Sequence, residues 1–257
     1  MTALTADLRV TWALMRRGLN EILRVPGASI PGILAPTIFL LGMAAVFGEA
    51  VTQPEYGTTN FTQFILPVSL IQGAGFTGAA TGVNLARDIE RGWFDRLLLA
   101  PAPRPIVLLG LVGSASLRCL LPTSFLLLVA FTLGVPWPGA GDLVVCAVFV
   151  MGFAATMACW GTVIALRFQT QQAAPLMQAV AFVAALFTTA YAPMELLAPW
   201  LQTVAKLNPT TQVIDAMRDG FISTMSWDAI AIATLAIVGM LLFFGALAMR
   251  GMHRLGR

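Results

Sequence analysis

Residues 143–166 read LVVCAVFVMGFAATMACWGTVIAL, with no charged residue between Asp142 and Arg167. A hydrocarbon core of about 30 Å is crossed by roughly 20 such residues in a helix, so this stretch reads as a membrane span. The rest of the chain has the same character. Of its 257 residues 58% are hydrophobic and 11% charged, with a mean hydropathy of +0.83, where an ordinary soluble domain carries about 25% charge. Such a chain has too little polar surface to cover a soluble core, and the expected class is a polytopic membrane protein.

Working outward, apolar stretches also occupy 28–48, 61–85, 106–133, 174–192 and 229–249. Together with 143–166 they predict an all-α membrane protein of six transmembrane helices, a single transmembrane domain over 1–257 with no room for a separate soluble catalytic domain. Pro31, Pro36, Pro67 and Pro122 fall inside these stretches, where neighbouring helices can satisfy the backbone groups that proline frees.

Residues 1–26 are not read as a cleavable leader, because Arg9, Arg16, Arg17 and Arg24 interrupt any apolar centre. Leu8, Trp12, Met15, Leu19 and Ile22 recur at helical steps with the arginines off that stripe. The pattern predicts an interfacial helix anchored by Trp12, its arginines on lipid head groups. Arginine placement then orients the chain. With both termini cytoplasmic, Arg9, Arg16, Arg17, Arg24, Arg87, Arg91, Arg96, Arg104, Arg167, Arg250, Arg254 and Arg257 fall on the inner side, and only Lys206 and Arg218 outside. Arg118 lies within the third span. It reads either as a residue snorkelling to the inner head groups or as a contact to an anionic or amphiphilic substrate.

Several chemistries are excluded. The lone lysine, Lys206, precedes Leu207, so no phosphate-binding loop is present. The expected spans hold no Asp, Glu, His or Lys, which speaks against a proton antiporter. There is no HExxH or GxSxG for an intramembrane protease. Cys119, Cys146 and Cys159 lie in apolar runs and read as core residues, and no metal site is expected. The preponderance of arginine over lysine is a compositional hint of a bacterial source.

The connections carry the remaining information. GVPWPGAGD at 134–142 is a tight outer turn. Residues 87–105, RDIERGWFDRLLLAPAPRP, place Ile89, Trp93 and Leu97 at four-residue steps among mixed charges, and Pro101, Pro103 and Pro105 then forbid helix. A short two-faced helix over 87–100 is expected, held between two spans and shaped to receive force from a soluble partner. Residues 193–225 predict outer re-entrant helices too short to span: one through Glu195, Trp200 and Leu207 closed by Asn208-Pro209, and a second from Thr211 to Phe221.

Two of these blocks carry a family resemblance. Glu90-Arg91-Gly92-Trp93-Phe94-Asp95-Arg96-Leu97 with Ala100-Pro101 and Arg104, and Pro193-Met194-Glu195 through Pro199-Trp200-Leu201-Gln202 and Asn208-Pro209 to Ala216-Met217-Arg218, resemble the permease subunits of type-2 ABC exporters, in particular the daunorubicin-type drug-resistance branch. The resemblance implies that Arg9, Trp12, Arg16, Arg17 and Arg24 belong to a connecting helix. It makes 87–100 a coupling helix presenting Asp88, Glu90, Arg91, Gly92, Trp93, Phe94 and Arg96 to a separate cytoplasmic ABC ATPase subunit. Pro193, Glu195, Trp200, Pro209 and Arg218 would shape an outer lid. A second copy or a related permease would pair with the chain, and the first, second and fifth spans would line the cavity between them. Gln72, Phe76, Thr77, Asn84, Gln178, Phe182 and Phe187, with Arg118, are then candidates for a substrate path. Ala74, Gly78 and Gly82 form a small-residue ridge on the second span, read first as a packing surface.

By the same resemblance this chain binds no cofactor itself; ATP and Mg enter through the partner. The implied function is export of a hydrophobic or amphiphilic compound across a bacterial cytoplasmic membrane, in contact with lipid and with no nucleic-acid partner. Its rivals are a lipid-linked glycan exporter and a non-transporting membrane scaffold.

Overall fold

The structure is a computed structural model that describes residues 3–24, 26–48, 54–94 and 103–255. Among these the regular elements are helices: α1 (Ala3–Arg24), α2 (Pro26–Phe47), α3 (Phe61–Glu90), α4 (Arg104–Arg118), α5 (Leu120–Thr132), α6 (Ala140–Phe168), α7 (Ala174–Leu186), α8 (Pro199–Leu207), α9 (Pro209–Ile222) and α10 (Trp227–Leu255). Single turns of 3-10 helix occupy Pro54–Tyr56, Gln171–Ala173 and Met194–Leu196.

Four runs are long and apolar enough to cross a membrane: α3, α4 with α5, α6 and α10. Gly32–Phe47 in α2 and Gln171–Leu186 around α7 are apolar but shorter. The third run bends its hydrogen-bond ladder at one place. Pro122 has no N–H to give the Arg118 carbonyl, yet Cys119 N–H donates to Ala115 O at 3.0 Å and Thr123 N–H to Cys119 O at 3.1 Å, so the run passes through Cys119 without turning.

α3 is the post around which the others stand. Asn60 caps it, its side-chain oxygen accepting from Thr62 N–H at 2.9 Å. Of its most apolar window 83% is buried, against 11% for α10. The ridge predicted on the second span explains how α6 comes so near. A Cβ on Gly78 would run into the Ala154 carbonyl, and one on Gly82 into the Gly161 backbone. A Cβ on Gly161 would lie 3.0 Å from the Ala79 carbonyl oxygen and 3.1 Å from Gly82 Cα. The two backbones touch, and the ridge is a packing surface.

Two expectations are corrected at the periphery. The fifth helix stops at Leu186 instead of continuing to 192; its 13 residues span about 20 Å, and the chain then unwinds through Thr188, Thr189 and Ala190, all buried. α1 does not present its whole apolar stripe to lipid. Leu14 fills the space over Gly110, Met15 that over Gly113, and Gly18 sits against Ser114, so its middle packs along α4.

Gly82→Val should therefore push into the α6 backbone and cost roughly 1–3 kcal/mol or more, lowering the thermal midpoint and the monodisperse yield in detergent. Gly42→Val, at a position with open space around it, should leave both unchanged in the same size-exclusion and melting assays.

Candidate functional site

The arginine-rich end of the bundle begins where α3 stops. Arg91 N–H closes on Arg87 O at 3.1 Å and Gly92 N–H on Ile89 O at 2.9 Å. Gly92 then adopts φ +66°, the left-handed conformation that ends a helix and that a side chain would strain. Helix resumes at Trp93 and Phe94. Arg87, Asp88 and Glu90 are thus the last turn of α3 and not the start of a separate helix over 87–100, because the break falls at the one residue able to make it. Arg96, with 95–102, lies outside the described residues.

The side chains around this break join three parts of the fold. Arg17 on α1 donates through Nη2 to both Asp88 carboxylate oxygens at 2.8 Å, and its guanidinium lies 3.7 Å from the centroid of the Trp93 ring. Glu90 receives Thr170 Oγ1 at 2.8 Å and Gln171 N–H at 2.9 Å, together with Gln171 Nε2, from the connection between α6 and α7. Arg87 Nε donates to Gln171 Oε1 at 3.1 Å. Phe94, 1% exposed, is buried with Leu85, Val107 and Met252. Glu90 lies past the apolar run that ends at residue 85; the Gln171 side chain and N–H, then Thr170, hold its carboxyl below the usual range, so it stays charged at neutral pH.

Of the residues expected to meet a partner, Phe94 is buried and Asp88 is half-buried against Arg17. Glu90, bonded to Thr170 and Gln171, and Arg91 are exposed, and Trp93 is half-buried. The Arg17–Asp88 side chains are 45% and 16% exposed, a setting in which an ion pair contributes about 0–1 kcal/mol and a cation–π contact about 0.5–1 kcal/mol. The cluster sets geometry more than stability. Arg17 thus ties α1 to α3 while remaining exposed, and Arg9, Trp12 and Arg16 are also exposed. The Arg24 side chain lies outside the described residues.

Arg118 is buried at 7% exposure and donates to Thr81 Oγ1 at 2.5 Å. With Asn84, Ser114, Arg17 and Asp88 it borders a cleft of about 30 Å³ between α1, α3 and α4. It does not snorkel outward, since about 20 Å of helix separates it from Arg104 and its side chain turns to α3. Of the other path candidates, Gln72 is buried in α3, and Phe76 and Thr77 are half-buried, Thr77 bonding its own helix at Gly73 O. On α7, Gln178 and Phe182 are exposed, and Phe187 meets Trp200 edge-on with centroids 6.3 Å apart.

At the opposite end, the unwound stretch after α7 is held by Asn208 and Arg218, residues of the second resembling block whose partners the sequence pattern did not identify. Asn208 Nδ2 donates to Ala184 O at 2.8 Å and Phe187 O at 2.9 Å, while its Oδ1 caps α9 at Thr210 N–H. Arg218, expected on an outward-facing lid, is instead 8% exposed. It donates to Asp215 Oδ1 at 2.8 Å, Thr189 O at 2.7 Å and Phe64 O at 3.2 Å, with its guanidinium 3.9 Å from the Phe64 ring centroid. Asp215 was missed in the sequence, although its three-residue spacing from Arg218 on a helix is a signal that could have found it. Pro193 is buried, and Glu195, Trp200 and Pro209 are exposed.

With this geometry in place, residues 9–222 match the family described as ABC-2 type transporter. The chain belongs to the ABC-2 type transporter family. It is 28% identical over 209 residues, 80% of this chain and 72% of the other, to a chain named as a transport permease, ycf38, of Cyanophora paradoxa. It is 24% identical over 254 residues, 97% of this chain and 86% of the other, to the daunorubicin resistance ABC transporter permease protein DrrB1 of Streptomyces coeruleorubidus. An ABC-2 permease is a membrane transport component and not itself an enzyme, and the family in general works with an ATPase.

Two outcomes test this geometry in the ABC-2 permease. Arg17→Ala should keep thermal stability within about 1 kcal/mol while raising amide hydrogen exchange across 88–94, and the exchanged pair Arg17→Asp with Asp88→Arg should restore protection. Arg218→Met should cost about 1–3 kcal/mol, the range for leaving a buried acceptor such as the Thr189 carbonyl without its donor, with Arg218→Lys recovering only part because it lacks the planar fork; thermal unfolding reads both.

Proposed function

We propose that the chain is the transmembrane subunit of an ATP-driven exporter that moves a hydrophobic or amphiphilic compound outward. The observation that carries the reading is the strut at the arginine-rich end: Arg17 grips Asp88 and Trp93, and Glu90 grips Thr170 and Gln171, so a push on the segment after Gly92 reaches α1, α3 and the α6–α7 connection together. A solvated loop would need none of these ties. In this reading the arginine-rich end is cytoplasmic, both termini lie there, α2 and α7 complete six spans, and the membrane is a bacterial cytoplasmic membrane.

A separate ATPase subunit, holding ATP and Mg, would seat against Arg91 and Trp93. Two permeases would pair across α2, α3 and α7, where Gln178 and Phe182 stand exposed on one face. ATP binding in the partner would draw the coupling segments together and rock α3, changing which end of the path between the permeases is open. Phe76, Thr77 and Asn84 would border that path. The daunorubicin resistance named for the Streptomyces relative favours a drug-like cargo over a lipid-linked glycan.

The test is reconstitution of the permease with the soluble ATPase that co-purifies with it. ATP-dependent loss of a hydrophobic cation from inside proteoliposomes is expected, and Arg91→Glu or Trp93→Ala should abolish at least nine-tenths of it with membrane insertion intact. A well-expressed permease that carries no ATPase, or full transport by both variants, would leave the scaffold reading standing.

A further inference from the structure

Because α7 ends at Leu186 and the chain then turns away, α10 is left without a neighbour on one flank. The result is an apolar cleft of about 510 Å³. Val180 and Ala184 of α7 form one wall and Leu235, Gly239 and Phe243 of α10 the other, with Met157 of α6 as its floor. Asn208, Pro209 and Thr210 at the start of α9 close one end. Its volume falls within the range of about 300–1,000 Å³ typical of small-molecule sites, which are apolar with a few polar groups at fixed places.

Gly239 separates this cleft from an ordinary packing defect. Gly78 and Gly82 are glycines because a neighbouring backbone leaves no room, but around a Cβ on Gly239 nothing lies within 4 Å. The wall is recessed there without any helix packed into the recess. Met157 and Met240 flank it, and methionine side chains adapt to ligands of different outline. Leu235 and Phe243 are 71% and 60% exposed, so the mouth is open along the flank of the bundle between α7 and α10, and none of the path candidates Gln72, Phe76, Thr77, Gln178, Phe182 or Phe187 lines it.

We propose that this cleft is a binding site for the apolar body of a drug-sized amphiphile entering sideways from the bilayer, its polar end toward the Asn208–Thr210 turn. The site deepens the export reading, as a place where cargo is collected before it reaches the path between permeases, but its occupancy is a property of this chain alone. Asn208 couples the two: the residue that closes the cleft also holds the Ala184 and Phe187 carbonyls, so an occupant pressing on the turn presses on the end of α7.

The experiment uses the full chain in nanodiscs, without ATP or an ATPase, so that failure of binding is told apart from failure of transport. The probe is an alkylamine carrying a benzophenone, photolysed and mapped by peptide mass spectrometry. Adducts are expected on the peptides containing Met157 and Met240. Gly239→Phe, which fills the recess, should reduce them at least fivefold, and Val180→Phe from the opposite wall should do the same. Leu242→Phe, equal bulk at an exposed position of α10 outside the cleft, should leave them unchanged. Equal labelling in all variants, or adducts spread along the exposed face of α10, would overturn the proposal. So would native mass spectrometry showing a phospholipid that only Gly239→Phe displaces and that excess probe does not, since the occupant would then be a bilayer lipid.

Discussion

The contact between α3 and α6 is the constraint on which the rest depends. Lipid tails are as apolar as leucine, so helices in a bilayer are held by close packing and not by escape from water. Gly78, Gly82 and Gly161 let two backbones meet without side chains between them. That contact fixes the axis of α3, and α3 in turn offers faces to α2, α4, α7 and α9. Ala79, Leu85 and Ala86 near one end and Phe61, Phe64 and Ile65 near the other anchor two separate apolar clusters, joined through the same helix.

Much of this was legible in one sequence because membrane helices advertise themselves locally. Four of the apolar runs, the glycine ridge and the two short helices before and after Asn208-Pro209 are set by neighbours a few positions away, and each has a helix in the structure. What was not legible depends on distant partners. Nothing near Asp88 marks Arg17 as its partner, since 71 positions separate them, and Glu90 meets Thr170 across 80. The same holds for the early end of α7: its apolar run continues to 192, and it is Asn208, arriving from another element, that takes the carbonyls a longer helix would have kept.

Arg118 and Arg218 show where composition misleads. Arg118 falls within an expected span and Arg218 in an expected outer segment, and each side chain is turned inward. The difference lies in what surrounds it. Arg218 finds a carboxylate, two backbone carbonyls and an aromatic face, which together replace the hydration it gives up. Arg118 finds Thr81 in a small polar cleft that continues to the Arg17–Asp88 pair. A polar seam therefore runs from the charged end to the middle of the bundle along α1, α3 and α4.

The placement of Pro67 gives α3 its mechanical character. A proline there cannot donate to the carbonyl of Gln63, and Gln63 instead engages α9 by giving its side-chain amide to Phe221 O. Between Pro67 and Gly92 the helix contains no second proline, and its glycines lie against neighbouring helices, Gly73 against α2 and α5, Gly75 against α7 and α6, and Gly78 and Gly82 against the α6 backbone. Beyond Pro67 the helix is tied to α9, the Gln63 side chain reaching Phe221 O and the Phe64 carbonyl accepting from Arg218, so the proline-bearing turn of the post is fastened to the helix that Asn208 caps.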